Sequence, residues 1–255
     1  MFTDRATITQ RAYGEQRPLA ARFSIYDYQQ DRVDLPGRAV EALREVTGPV
    51  LDIGWGLGMY TARIRADRPD LHVVPLDLSP GMRPEVVADI QSLPVADADV
   101  DAALAMHMLY HVPDIPTAVR ELRRVVRPGG VVLASTNGAD DKLEFTRLAD
   151  DLRAELGTRP RAGSGDDSFT LGDASLLEAE FDDVDVLVFD RQNIVPVAEP
   201  VVAFVDSFRA FEEPALPDGV SWTDFMTAAE RRVRAVVESE GAFRFTSQVG
   251  IFVCR

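Results

Sequence analysis

The feature that most constrains this chain is a short apolar run that stops at a compressed glycine turn. Val50-Leu51-Asp52-Ile53 leads directly into Gly54-Trp55-Gly56-Leu57-Gly58. Such a run fits a buried strand of a parallel sheet. Met59 to Asp67 follows as a helix that ends near Pro69. A strand, a glycine turn and a helix, in that order, bring backbone N–H groups close to a ligand. Glycine allows the approach because it has no Cβ and tolerates positive φ.

The same alternation runs through the first half of the chain. A helix is expected over Pro36 to Val46, with Ala39, Val40, Leu43 and Val46 on one face. Val73 to Leu78 is a second strand that carries Asp77, Val86 to Ile90 a short third, and Val100 to Met108 a fourth. Asp114 to Val126 is an amphipathic helix, broken by Arg127-Pro128-Gly129-Gly130 before a strand over Val131 to Ser135. Leu143 to Leu156 is a further helix, Gly157 to Asp167 a mobile loop, and Val184 to Phe189 and Phe243 to Val253 are strands. Arg191 to Gly241 is too long for a simple crossover, and two helices are expected in it, near Pro200–Phe211 and Ser221–Glu240.

The pattern predicts an α/β, Rossmann-like, doubly wound and mostly parallel seven-stranded sheet. It has an N-terminal helical segment and a helical insertion before the last strand. The expected organisation is one domain over 1–255, with a cap at 1–47, a core at 48–190 and 243–255, and a site-covering insertion at 191–242.

Charge narrows the partners. With 27 basic and 42 acidic residues the net charge is −15, which disfavours nucleic acid as a substrate. The arginines at 120, 123, 124 and 127 fit a solvated helix face. No apolar run approaches a membrane span, and Met1 to Gln10 has no signal-like core. The single cysteine, Cys254, excludes an internal disulfide and a cysteine-based zinc site. A soluble cytoplasmic monomer or homodimer acting on a small molecule is expected, without metal, nucleic acid or membrane.

The ligand of the glycine turn is a nucleoside. Asp77 lies 23 residues after Gly54, a spacing that suits a carboxylate accepting from both ribose hydroxyls. A dinucleotide fingerprint needs its third glycine where Met59 stands. The compressed turn, with Asp52 two positions before its first glycine, suits a cofactor without a pyrophosphate. Asp52 can then face an ammonium group.

Leu51 to Gly58 resembles the first motif of the class I S-adenosylmethionine-dependent methyltransferases. Pro75-Leu76-Asp77-Leu78-Ser79-Pro80-Gly81-Met82 is similar to their second-strand motif, and Ala88-Asp89-Ile90-Gln91-Ser92-Leu93-Pro94 to their adenine-binding turn. Val100 to Val112 and Leu122 to Gly130 resemble the fourth strand with its exit and the turn before the fifth. The resemblance implies S-adenosylmethionine as cofactor and S-adenosylhomocysteine as product. It implies contacts from Asp52, Gly54, Trp55, Gly56, Gly58, Asp77, Leu78, Asp89, Ile90 and Met106. Trp55 and Leu57 depart from the small and hydroxylated residues usual there. The Trp55 indole either narrows the pocket or packs into the core or against the cap.

Methyl transfer is an in-line displacement that needs a base only when the acceptor must lose a proton. His107, Tyr110 and His111 follow the fourth strand, where open α/β sheets bind ligands. His111 is the first candidate base and His107 the second; satisfied structural histidines are the alternative. His72 is expected to be structural. Tyr26, Tyr28, Tyr110, Phe204 and Phe208 are candidate pocket residues, with core packing as their alternative. The resemblance leaves open a relative that cyclises or rearranges its substrate, or a binding module without activity. The amino-methyltransferase signature Asn/Asp-Pro-Pro-Tyr is absent after the fourth strand.

Overall fold

The computed structural model describes residues 3–157 and 169–255. Apart from Gly157, the polar stretch to Asp167 lies outside the described residues. The strands are β1 (Val50–Ile53), β2 (Val73–Asp77), β3 (Val86–Val87), β4 (Val100–Met106), β5 (Val126–Asn137), β6 (Val184–Val195) and β7 (Phe243–Cys254). The helices are α1 (Gln16–Ser24), α2 (Leu35–Ala42), α3 (Met59–Asp67), α4 (Ile115–Val125), α5 (Leu143–Glu155), α6 (Ser175–Glu178), α7 (Ala198–Asp206), α8 (Arg209–Glu212) and α9 (Trp222–Glu240). A π-helical segment covers Thr7–Ala12 and a 3₁₀ turn covers Ile25–Tyr28.

The seven strands form one sheet in the order β3-β2-β1-β4-β5-β7-β6. All pairs are parallel except those of β7, which is antiparallel to β5 and β6. The expected α/β fold, with its N-terminal helices and helical insertion, is the one observed. From β1 the chain winds outward through β2 and β3, then returns to the other side of β1 as β4. That reversal is the topological switch point, and it opens a crevice at the carboxyl ends of β1 and β4.

Alternation along the buried central strands supplies both faces of the sheet. Leu51, Ile53, Ala103 and Ala105 pack with Leu122 of α4 and Phe252. Val50, Ala102 and Leu104 pack on the opposite face with Leu43, Ile64 of α3 and Ile251. Leu104 is fully buried, beside Asp52 in β1 and Leu133 in β5. Leu104→Ala is expected to cost about 2–5 kcal/mol, read as a lower urea midpoint at unchanged slope. A third cluster joins Ile25, Leu148, Val201, Phe204, Trp222, Phe225, Phe243 and Phe245. It packs the N-terminal segment and the insertion together beyond the carboxyl end of the sheet.

Several boundaries differ from those expected. β3 stops at Val87, because Asp89 turns the chain: its Oδ1 accepts from Gln91 N at 2.9 Å. β5 begins at Val126, and the Pro-Gly-Gly stretch lies within it, with Gly129 at φ 78° and a register shift against β4. β6 runs on to Val195, paired throughout with β7, so the insertion starts after 195 rather than at 191. α2 ends at Ala42, four residues short of Val46, although Leu43 and Val46 still pack in the core.

Candidate active site

The glycine turn closes over the end of β1. Gly54 and Trp55 donate to Leu76 O at 2.9 and 3.0 Å, and Gly58 N donates to Trp55 O at 2.8 Å. Gly54, Gly56 and Gly58 have φ of 73°, 56° and 74°. Each is also crowded: a Cβ on Gly54 would lie 2.8 Å from Met108, and one on Gly58 would lie 2.7 Å from the Trp55 ring. Backbone conformation and space thus both demand glycine at these two positions.

Asp77 ends β2 beside this turn and is buried. One carboxylate oxygen accepts from Gly56 N at 3.0 Å and the other from Ser79 N at 2.8 Å. Burial raises its pKa, and the two N–H groups oppose the shift. Asp52 Oδ2 accepts from Thr61 N at 3.1 Å and Thr61 Oγ1 at 2.5 Å, tying β1 to the first turn of α3.

Burial pushes the Asp52 carboxyl up to about 6, against the hydrogen bonds from Thr61. Its ordinary value is 3.8, so the fold holds this proton more tightly than the unfolded chain does. Its favourable contribution is present at low pH and is lost as pH rises through the interval from about 4 to 6. Asp52→Asn is therefore expected to stabilise the ligand-free protein by about 1–3 kcal/mol at pH 7.5 and hardly at all at pH 4, in urea unfolding at the two pH values.

The Trp55 indole folds back over Gly58 within the loop. Its Nε1 is buried and has no hydrogen-bond partner among the described residues. The ring is half-buried and belongs to none of the core clusters. Leu57 is half-buried in the same turn.

The N-terminal segment lies across the glycine turn and the loops that follow β2 and β3. Arg5 pairs with Asp89 at 3.0 Å, and Gln16 Nε2 donates to Met82 O at 3.0 Å. Ser79 Oγ donates to Tyr13 O at 2.6 Å. A Cβ on Gly81 would strike Gly14 O at 2.2 Å, and one on Gly56 would lie 3.2 Å from Leu19. Ile90 is buried in the core beside Asp89, and Leu78 is half-buried after Asp77. Met106 is buried in the core at the end of β4.

The two histidines after β4 diverge. His107 has φ 54°, an uncommon conformation for a non-glycine residue, and its N–H donates to Ser135 O and Oγ, both at 3.0 Å. Burial, aided by the Lys142 ammonium, pushes its imidazole down to about 4. His107 is thus neutral at neutral pH. Lys142, the only lysine in the chain, pairs with Asp141 and lies 5.6 Å from the Tyr26 ring centroid. Burial opposes its charge, yet Tyr26 and Asp141 outweigh burial and raise its pKa.

His111 turns the other way. Its Nε2 is 2.7 Å from Tyr13 Oη, which also accepts from Arg22 Nη1 at 2.9 Å. Tyr110 packs edge-on against His111 at 4.6 Å, and Phe211 stacks on it at 6.2 Å. Burial raises the Tyr13 pKa, with Arg22 opposing and Asp77 adding to the shift. Tyr13 therefore stands within electrostatic reach of the Asp77 carboxylate while touching the candidate base.

Of the expected pocket residues, Tyr26, Tyr110 and Phe208 line this polar belt. Phe204 is buried in the third cluster against Phe145 and Phe208, and Tyr28 is packed there as well. His72 is exposed at the start of β2. Tyr13 and Arg22 are the residues that sequence reasoning missed. Neither belongs to a motif; the only available signal was an aromatic and a cation in a segment expected to fold over the pocket. Among the described residues no group of three or more His, Cys, Asp or Glu could hold a metal, and no helix is long and apolar enough to cross a membrane.

Residues 51–134 match the methyltransferase domain family. The chain carries a class I S-adenosylmethionine-dependent methyltransferase domain. A malonyl-[acyl-carrier protein] O-methyltransferase of Dechloromonas aromatica is 36% identical over 112 residues, 40% of this chain and 41% of that protein. One of Halorhodospira halophila is 32% identical over 187 residues, 68% of this chain and 60% of that protein. The chain thus spans about half the length of the curated relatives it matches. Among solved structures, a phosphoethanolamine N-methyltransferase of Haemonchus contortus shares the fold, with a TM-score of 0.53 at 16% identity over all of this chain and 59% of that one. The methyltransferase domain's cofactor fits the residues present: a turn of three glycines at positive φ, a buried carboxylate at the end of β2, and an orphaned indole N–H in the loop.

Proposed function

We propose that this chain transfers the methyl group of S-adenosylmethionine to an oxygen, nitrogen or carbon atom of a small molecule held between the N-terminal segment and the insertion. The observation that carries this is the convergence, at one end of the sheet, of the glycine cradle, Asp77 and the Tyr13–His111 pair. Asp77 and the N–H groups around it would hold the ribose, Asp52 the amino group, and Asp89 the adenine, with Arg5 swinging aside. The bound cofactor supplies an electrophilic methyl group.

The chain's own residues align the acceptor and exclude water. Arg22 has no acceptor lone pair, so Tyr13 Oη accepts from it and donates its own proton to His111 Nε2. An acceptor O–H placed at Tyr13 could pass its proton to Tyr13 as the Tyr13 proton moves to His111. The relatives' names favour oxygen among the three atoms. His107, which burial holds neutral, supports the wall of the site.

The test is calorimetry with S-adenosylhomocysteine. No heat and no thermal shift at millimolar ligand would sink the cofactor assignment. Binding is expected to weaken below about pH 6, where Asp52 takes up a proton and loses its charge. Trp55, bent over the loop, keeps a second reading open, in which the fold serves a cyclisation or rearrangement. Product mass separates the two, since methyl transfer adds one methyl and releases S-adenosylhomocysteine.

A further inference from the structure

Two cations flank the candidate acceptor site, and among the described residues only one is paired with a carboxylate. Lys142 is paired with Asp141. Arg22 of α1 has no carboxylate partner among the described residues. Its Nε donates to Ser207 Oγ at 3.2 Å, its Nη1 to Tyr13 Oη at 2.9 Å, and its Nη2 to Ser207 O at 2.7 Å. All three acceptors are uncharged, and they use three of its five N–H bonds. The guanidinium carbon sits 4.5 Å from the Phe208 ring centroid, 5.3 Å from Tyr13 and 5.8 Å from Phe211. Stacking on rings fixes the plane of the fork, and the apolar walls weaken screening of its charge.

A half-buried cation without a counter-ion is costly, and it is unusual in a chain whose acids outnumber its bases by fifteen. Surface carboxylates are abundant, yet among the described residues none pairs with it. We propose that the counter-ion is the acceptor itself: Arg22 receives a carboxylate carried on an apolar body that packs against the half-buried Tyr13 and Phe208. The planar fork matches a carboxylate, with the charge-assisted hydrogen bonds that such a pair makes. Tyr13, bonded to Arg22 on one side and His111 on the other, then sets the distance between this anchor and the base. The inference rests on the methyltransferase reading for its notion of an acceptor, but its test does not require turnover.

The experiment titrates the full chain, saturated with S-adenosylhomocysteine, with 3-phenylpropionate and hexanoate and with their neutral amides, by calorimetry and thermal shift. Each acid is expected to bind at least tenfold more tightly than its amide. Arg22→Gln is expected to bring acid and amide within twofold of each other. Arg22→Lys keeps the charge but not the fork, and is expected to retain the preference at weaker affinity. Equal binding of acid and amide by the unsubstituted protein overturns the proposal without need of any variant. So does an acid preference that survives Arg22→Gln, or no binding of either acid at 20 mM (about the limit of a useful affinity) while S-adenosylhomocysteine binds. Failure of S-adenosylhomocysteine itself overturns the cofactor reading instead; the same acid and amide titrations without it still decide the Arg22 proposal.

Discussion

Asp77→Ala is expected to weaken S-adenosylhomocysteine binding about 100-fold, or roughly 3 kcal/mol. Two losses combine. The carboxylate that would accept from the ribose hydroxyls is gone, and the Gly56 and Ser79 N–H groups lose the oxygens that now hold them. Gly56 lies in the middle of the turn, so its freed N–H loosens the cradle as well as the ribose contact. Asp77→Asn keeps one acceptor oxygen and is expected to fall between the two. Calorimetry measures the affinities, and circular dichroism checks that the sheet is intact. A Kd for Asp77→Ala within threefold of the unsubstituted protein would remove the ribose role.

His111→Ala is expected to lower kcat for an oxygen acceptor by about 10²–10³-fold while leaving cofactor affinity nearly unchanged. Tyr13→Phe deletes only the hydroxyl that joins Arg22 to His111 and is expected to cost a similar factor. The two residues form one chain of hydrogen bonds, so the double variant should be scarcely slower than either single one. Steady-state release of S-adenosylhomocysteine, assayed with any acceptor that turns over, gives the comparison. Rates that multiply in the double variant would show independent roles. An unchanged kcat in both single variants would assign catalysis to alignment alone.

The glycine turn and the carboxylates beside it were legible in the sequence because they are local. The cradle needs glycine at set positions, the strand ends bring Asp52 and Asp77 to it, and the helix boundary at Asp67 follows from Pro69. The acceptor half was not legible in this way. Tyr13 meets His111 across 98 residues and Arg22 meets Ser207 across 185, contacts that no spacing rule encodes. Phe204 and Phe208 had equal claims as pocket residues, yet one is buried in the cap cluster and the other lies under Arg22. The direction of Trp55 was open for a similar reason: an indole can pack on either side of a turn, and here the bare surface of Gly58 receives it.

The segment that runs from Arg5 to Arg22 touches the Asp89 turn, the glycine loop and His111 in a single pass. It has a kinetic consequence. Under the proposed function, a segment that covers the nucleoside and also borders the acceptor would impose a compulsory order, with cofactor on first, acceptor second, methylated product off, and S-adenosylhomocysteine off last. Initial-rate patterns should then show S-adenosylhomocysteine competing with S-adenosylmethionine but noncompetitive against the acceptor, and turnover limited by opening of the chain's own first twenty residues rather than by chemistry.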